Sequence, residues 1–228
     1  MKNAFRLLLL VPLAAAANNI ETWNTVQATK KIDDWSFSIS EENRIGVDQK
    51  QTTKKLDEFH TTFGVNYSFM SHFSIGVQDD YALLRDGSDT RYKRDNRPGV
   101  NVAAFDSING FFVMNRSRFV MRDIEGEQPY FRYRNLSKLV TPSICSFRFA
   151  EDIKLFTAYE WYFDEGSKDR HICKNDKFGQ FWTDFGICGK INDSWSIEVF
   201  YRLVEVKSAI SHDWSPGHAV CTSILFAF

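Results

Sequence analysis

Two short stretches carry arginines two residues apart, Arg116-Ser117-Arg118 and Arg132-Tyr133-Arg134. On an extended strand, residues i and i+2 point to the same side, so each stretch presents two guanidinium groups together. Paired guanidiniums suit carboxylates and phosphates, and rings of charge set the selectivity of pores. Nine further charged residues fall on the polar side of alternating segments: Glu42, Arg44, Asp80, Arg97, Lys138, Glu160, Asp184, Glu198 and Arg202. If the apolar side of these segments meets lipid, all of these charges face the inside of a barrel. A buried charge is costly unless it is paired or hydrated, so that inside needs an ion-pair network or water. The expectation is structural: arginines paired with Glu160, Asp184 and Glu198 fill a narrow barrel. The alternative use of the same residues is a path or site for anionic solutes.

Other chemistry is thinner. The cysteines, Cys145, Cys173, Cys188 and Cys221, lack metal-ligand spacing, and no metal or cofactor is expected. In an oxidising compartment disulfides form, and Cys173 with Cys221 is the pair expected to meet. Cys188 and Cys221 lie on strands separated by one other, about 10 Å apart at two strand spacings, beyond the reach of a disulfide. Of the five histidines, His212 or His218 with Ser215 would be the candidates for a membrane-embedded lipid hydrolase. No G-x-S-x-G or comparable motif supports that use, and there is no phosphate loop, zinc signature or nucleotide fingerprint. The expectation is a protein without enzymatic activity.

The elements that must position these residues are strands. Alternation of period two runs through Trp35-Ser36-Phe37-Ser38-Ile39, from Thr61 to Phe69, from Phe73 to Val77 and from Trp195 to Tyr201. Segments come in pairs across short turns, among them Asn109-Gly110, a strong hairpin signal because both positions need positive φ. Between the pairs lie longer polar stretches, about 46–57, 85–95, 123–130, 165–177 and 207–217. Short turns that alternate with long hydrophilic loops are the pattern of outer-membrane barrels. The expected strands are 22–32, 35–45, 58–69, 73–84, 96–107, 111–122, 131–149, 153–164, 178–190, 194–206 and 218–228. That is an odd count where bacterial barrels normally have an even one, and Pro142 leaves room for a bend within 131–149.

The chain ends bear on location. Lys2 and Arg6 precede the short apolar run Leu7 to Leu13, and Ala14 to Ala17 supplies small residues before polar sequence begins. This is the layout of a secretory signal peptide, expected over 1–17, with the barrel over 18–228. The last strand alternates Val220, Thr222, Ile224, Phe226 and Phe228 against Cys221, Ser223, Leu225 and Ala227. A final aromatic on such a strand resembles the signal read by the barrel-assembly machinery, with Ile224, Phe226 and Phe228 as its residues. Aromatic content is high, 15% of 228 residues, which suits a wall with interfacial girdles. The net charge of −1 gives no footing for nucleic acid.

Short motifs in order along the chain resemble one bacterial family. They are Trp23-Asn24, Asp34-Trp35-Ser36-Phe37-Ser38, Glu41-Glu42-x-Arg44, Asn96-Arg97-Pro98, Asn115-Arg116-Ser117-Arg118, Tyr133-Arg134-Asn135 and Phe226-Ala227-Phe228. The family is domain of unknown function 2490, and the resemblance implies an outer-membrane barrel with no assigned activity. The four cysteines and Thr141-Pro142-Ser143-Ile144-Cys145 depart from it. The resulting expectation is all-β: an up-and-down antiparallel transmembrane β-barrel of about 10–12 strands in the cell outer membrane. It would have lipid and the assembly machinery as partners and serve as a structural protein or narrow pore. The rival architecture is a soluble periplasmic lipocalin-like binding barrel, which would turn its greasy face inward.

Overall fold

The computed structural model describes residues 20–47, 54–85, 91–148, 150–165, 178–207 and 214–228. The leader expected at 1–17, Cys173, His212 and most of the expected long loops lie outside these residues. Within them the chain is all-β and contains no helix. The strands are β1 (Ile20–Ile32), β2 (Trp35–Val47), β3 (Lys54–Met70), β4 (Phe73–Arg85), β5 (Tyr92–Ile108), β6 (Phe111–Ile124), β7 (Tyr130–Val140), β8 (Cys145–Phe147), β9 (Ala150–Glu165), β10 (Phe178–Lys190), β11 (Trp195–Lys207) and β12 (Trp214–Ala227).

Each strand pairs antiparallel with the next in sequence, except that β7 pairs with β9 and β8 with the base of β9, and the sheet closes on itself. β8 is not an independent stave. It resumes the pairing of β7 with the base of β9 after a break, Val140 lying opposite Phe156 and Cys145 opposite Ile153. Pro142 sits in that break, where its missing N–H costs the ladder least. The segment expected as one strand over 131–149 is therefore two pieces around Thr141-Pro142. Among the described residues the wall then holds eleven strands. In an up-and-down meander the first and eleventh run in the same direction, so the last joint must be parallel. β1 and β12 pair in that way, from Ile20 opposite His218 to Thr29 opposite Ala227. This joint is the one departure from the expected antiparallel order, and it accommodates the odd count.

The turns at one end are tight. Asp33 (φ 51°) leads from β1 to β2, and Asn109 (φ 52°) and Gly110 (φ 82°) lead from β5 to β6. The Asn-Gly pair thus has the two positive φ angles that a hairpin twisting with its strands requires. The strands tilt strongly against the barrel axis. From Ile32, at the turn end of β1, successive ladder partners pass through Tyr67, Val102, Asn135 and Phe181 to Pro216, at the opposite end of β12.

The tilt and the pleat divide every strand into an inward and an outward row. Gly186 shows how tightly the inward rows pack. Its ladder partners are Phe156 on β9 and Phe200 on β11. Those two rings meet edge-to-face, centroids 5.6 Å apart, across the strand that carries the glycine. A Cβ at Gly186 would lie 2.3 Å from Phe200 Cβ, so the contact exists only because position 186 has no side chain. Gly186→Val should lower barrel stability by about 1–3 kcal/mol, the usual cost of overpacking. The readout is the temperature at which the folded band is lost on an unheated gel, and Gly186→Ala should fall between the two.

Candidate functional site

The inward rows gather the charges. The interior holds a cavity of about 520 Å³. Glu42, Arg44, Asp80, Arg97, Arg116, Arg118, Arg134, Lys138, Glu160, Asp184, Glu198 and Arg202 all line it. Arg132 also points inward, beside Arg122 and Arg97 in a second space of only about 10 Å³. That is close to the least room a single water needs. The free space inside the wall is therefore concentrated toward the tight turns, where Ser38, Ser74 and Phe105 line it.

What closes the other half is a knot of aromatic rings and ion pairs. Trp23, Tyr162 and Trp182 come from β1, β9 and β10 and are almost completely buried. Trp182 meets Trp23 at 5.2 Å and Tyr162 at 4.8 Å between ring centroids. Three guanidiniums cover these rings: Arg44 over Trp23 at 4.0 Å, Arg202 over Trp182 at 4.4 Å and Arg134 over Tyr162 at 4.8 Å. Each cation also has a carboxylate. Arg134 donates Nε and Nη2 to the two oxygens of Glu160, at 3.1 and 3.0 Å, while the Tyr162 hydroxyl donates to Glu160 at 2.8 Å. Arg202 forks onto Asp184 at 2.7 and 2.8 Å, and Arg44 bridges Glu42 and Glu58 at 2.7 Å each. Parallel N–H···O pairs of this kind are the strong form of the arginine–carboxylate bond.

A second group continues the network around the wall. His60 contacts Glu58 and Asp80, Arg97 bridges Asp80 and Asp95, and Arg122 also binds Asp95. Asp95 is fully buried. Arg132 pairs with Asp164, and Lys138 reaches Glu198 at 2.8 Å. The two arginine stretches lie on neighbouring strands with Arg118 directly opposite Arg134. They differ in their partners. Among the described residues Arg116 and Arg118 have no ion pair, and Arg118 Nε is buried without a hydrogen bond.

Several members of this network lie at strand ends that run past the expected limits. Asp95 precedes the strand start read at 96, and Asp164, Arg122 and Glu58 sit at the last or first position of theirs. One step of the same parity beyond Arg97 finds Asp95, and the parity within the expected limits already includes Glu58, Arg122 and Asp164. Trp23 and Tyr162 give no such signal, because aromatic residues also fill the outward rows, as Tyr159, Trp161 and Phe163 do around Tyr162.

The C-terminal strand holds the other expected residues. Ile224 and Phe226 lie on β12 and Phe228 just beyond it. Phe226 stacks on Trp195 at 4.6 Å, and the Phe228 N–H donates to the Thr29 carbonyl across the parallel joint. Cys221 is a buried free thiol that faces the interior beside Trp23 and Trp182. Ser215 and His218 are three apart on β12, so they point to opposite sides of the wall. His218 instead meets the Tyr201 hydroxyl. Among the described residues no group of three or more His, Cys, Asp or Glu is arranged to hold a metal ion.

The matched ion pairs can be checked by unbalancing one. Asp184→Ala leaves the Arg202 guanidinium buried without its carboxylate and should cost about 3–5 kcal/mol. Removing both charges, in Asp184→Leu with Arg202→Met, should restore most of that stability. Urea unfolding of the three proteins under the same conditions reads the difference.

A family model, Protein of unknown function (DUF2490), matches residues 20–213, which takes in all of the wall except β12. Comparison with curated proteins and with solved structures returned no match.

Proposed function

The chain belongs to the DUF2490 family, and from that premise we propose that it is an outer-membrane β-barrel with an occluded interior, a structural wall protein and not a wide pore. One observation carries this reading. Among the described residues thirty-four large hydrophobic side chains are exposed, while fourteen hydrophobic residues are buried, five of them alanines. The exposed set includes Phe63, Val77, Val100, Phe119 and Phe185, each on a strand and away from the turns. A soluble monomer rarely shows contiguous apolar surface of this extent. Here the charges are inside and the grease is outside, the reverse of a barrel that encloses an apolar ligand and meets water.

The details are consistent with a bilayer. Wall strands of 11 to 17 residues reach or exceed the 9–11 that a tilted strand needs to cross one. Trp35 and Tyr67, Phe69 and Phe73, and Trp195 and Phe226 stack in pairs beside the tight turns, where an interfacial girdle belongs. No helix among the described residues is long and apolar enough to cross a membrane, so a crossing falls to the strands. In this reading residues 1–17 direct export. The outward Ile224, Phe226 and Phe228 are read by the assembly machinery, and the tight turns face the periplasm. The role is not enzymatic.

Val77→Arg and Phe63→Arg test the outward rows. At the bilayer midplane such a change costs about 2–4 kcal/mol, so both variants should be depleted from the outer-membrane fraction and lose the folded band on an unheated gel. Ser40→Glu, which adds a charge of the opposite sign to the arginine-rich interior cavity, should assemble normally. If the two outward variants stay folded and soluble, the membrane reading fails.

A further inference from the structure

The cavity lining is richer in cations than in carboxylates. Seven arginine or lysine side chains line it against five aspartates or glutamates. Five of the seven have a carboxylate within ion-pair distance, some of it supplied from just beyond the cavity. The two that do not, among the described residues, are Arg116 and Arg118, and Arg118 Nε is buried without any hydrogen-bond partner. Their surroundings account for this. Across the ladder toward β5 stand Ala103 and Asn101, and toward β7 stand Leu136 and Arg134. None of these is an acid, and the guanidinium of Arg134 is already committed to Glu160.

The nearest carboxylates that Arg116 and Arg118 feel, Glu160 and Asp80, are bonded to other cations, and two buried guanidiniums without a contacting carboxylate favour the entry of a counter-charge. The room for one is present, because alanine occupies nearby inward positions, Ala103 and Ala158 among them. Asn101, Gln78 and Thr62 line the same cavity and add neutral hydrogen-bonding groups. A planar guanidinium fork matches the oxygens of carboxylates and phosphates, and a phosphate group carries close to two negative charges near neutral pH. Its oxygens can meet two guanidinium forks at once, where the two oxygens of a monocarboxylate match a single fork.

We infer that Arg116 and Arg118 form an anion site in the barrel cavity, on the turn side of the aromatic knot, that takes a phosphate group as its dianion. The site belongs to the closed wall and does not depend on the barrel lying in a membrane. Loss of membrane fractionation and loss of binding are thus separate results.

The test is calorimetric titration of the purified, folded full barrel in detergent with inorganic phosphate, glycerol 3-phosphate and acetate. Phosphate should bind and acetate should bind at least tenfold more weakly. Arg116→Gln and Arg118→Gln should each weaken phosphate binding at least tenfold, whereas Arg91→Gln, at an exposed arginine, should leave it unchanged. A tenfold preference for glycerol 3-phosphate assigns the site to an organic ester, and its absence assigns it to free phosphate. As a second readout, the double variant Arg116→Gln/Arg118→Gln should melt higher than the parent in phosphate-free buffer and gain nothing from added phosphate. Absence of phosphate binding at millimolar concentration, equal binding of acetate, or equal phosphate affinity in the arginine variants would overturn the proposal.

Discussion

Glu160 accepts from Arg134 and from the hydroxyl of Tyr162, and the rest of the interior is arranged around bonds of this kind. Closing the sheet pairs every strand on both sides, which removes the exposed edges that isolated sheets must protect. It also forces half of each strand's side chains into a narrow common space. Many of those side chains are charged here, so each carboxylate must find a donor, and most find it on the neighbouring strand. Bidentate pairs such as Arg202 with Asp184 meet that demand while the flat guanidiniums lie on Trp23, Tyr162 and Trp182. Arginine's planar fork serves both needs with two bonds at once, and Lys138 does so with one, to Glu198, while its ammonium lies over Phe156.

The interior is graded along its length. On the side away from the tight turns, long side chains and rings leave almost no space between Arg97, Arg122 and Arg132. On the turn side, short residues such as Ser38, Ser40, Ser74 and Ala103 stand in the inward rows, and the volume they release is the cavity. Arg116 and Arg118 sit at this change of filling, which is why they lack the carboxylates that satisfy their neighbours.

Much of this architecture is legible in the residue order alone. Alternation in segments such as Trp195 to Tyr201 marks the strands, since a period of two is what a half-buried extended chain requires and what a helix cannot use. The hairpin at Asn109-Gly110 follows from backbone sterics. Strand ends are less legible, because inward charge and loop charge look alike in sequence, as Asp95 and Asp164 show. Pro142 signals an interruption but not that the ladder resumes at Cys145. Which arginines are satisfied is not legible either. That depends on what the neighbouring strands place opposite them, and Ala103 and Leu136 are paired with Arg116 only by register. The interior aromatics are hidden because β9 carries rings on both of its faces.

The parallel joint between β1 and β12 has a meaning for how such sheets change in size. A meander that gains or loses whole hairpins keeps its parity, and an even wall stays even however often a hairpin is copied or deleted. Eleven staves cannot be reached that way from ten or twelve. The step requires a single strand to be added or lost and the remaining edges to rejoin with their directions matched instead of opposed. The joint is where an odd parity is absorbed, the one seam in which two neighbouring strands of the wall run the same way.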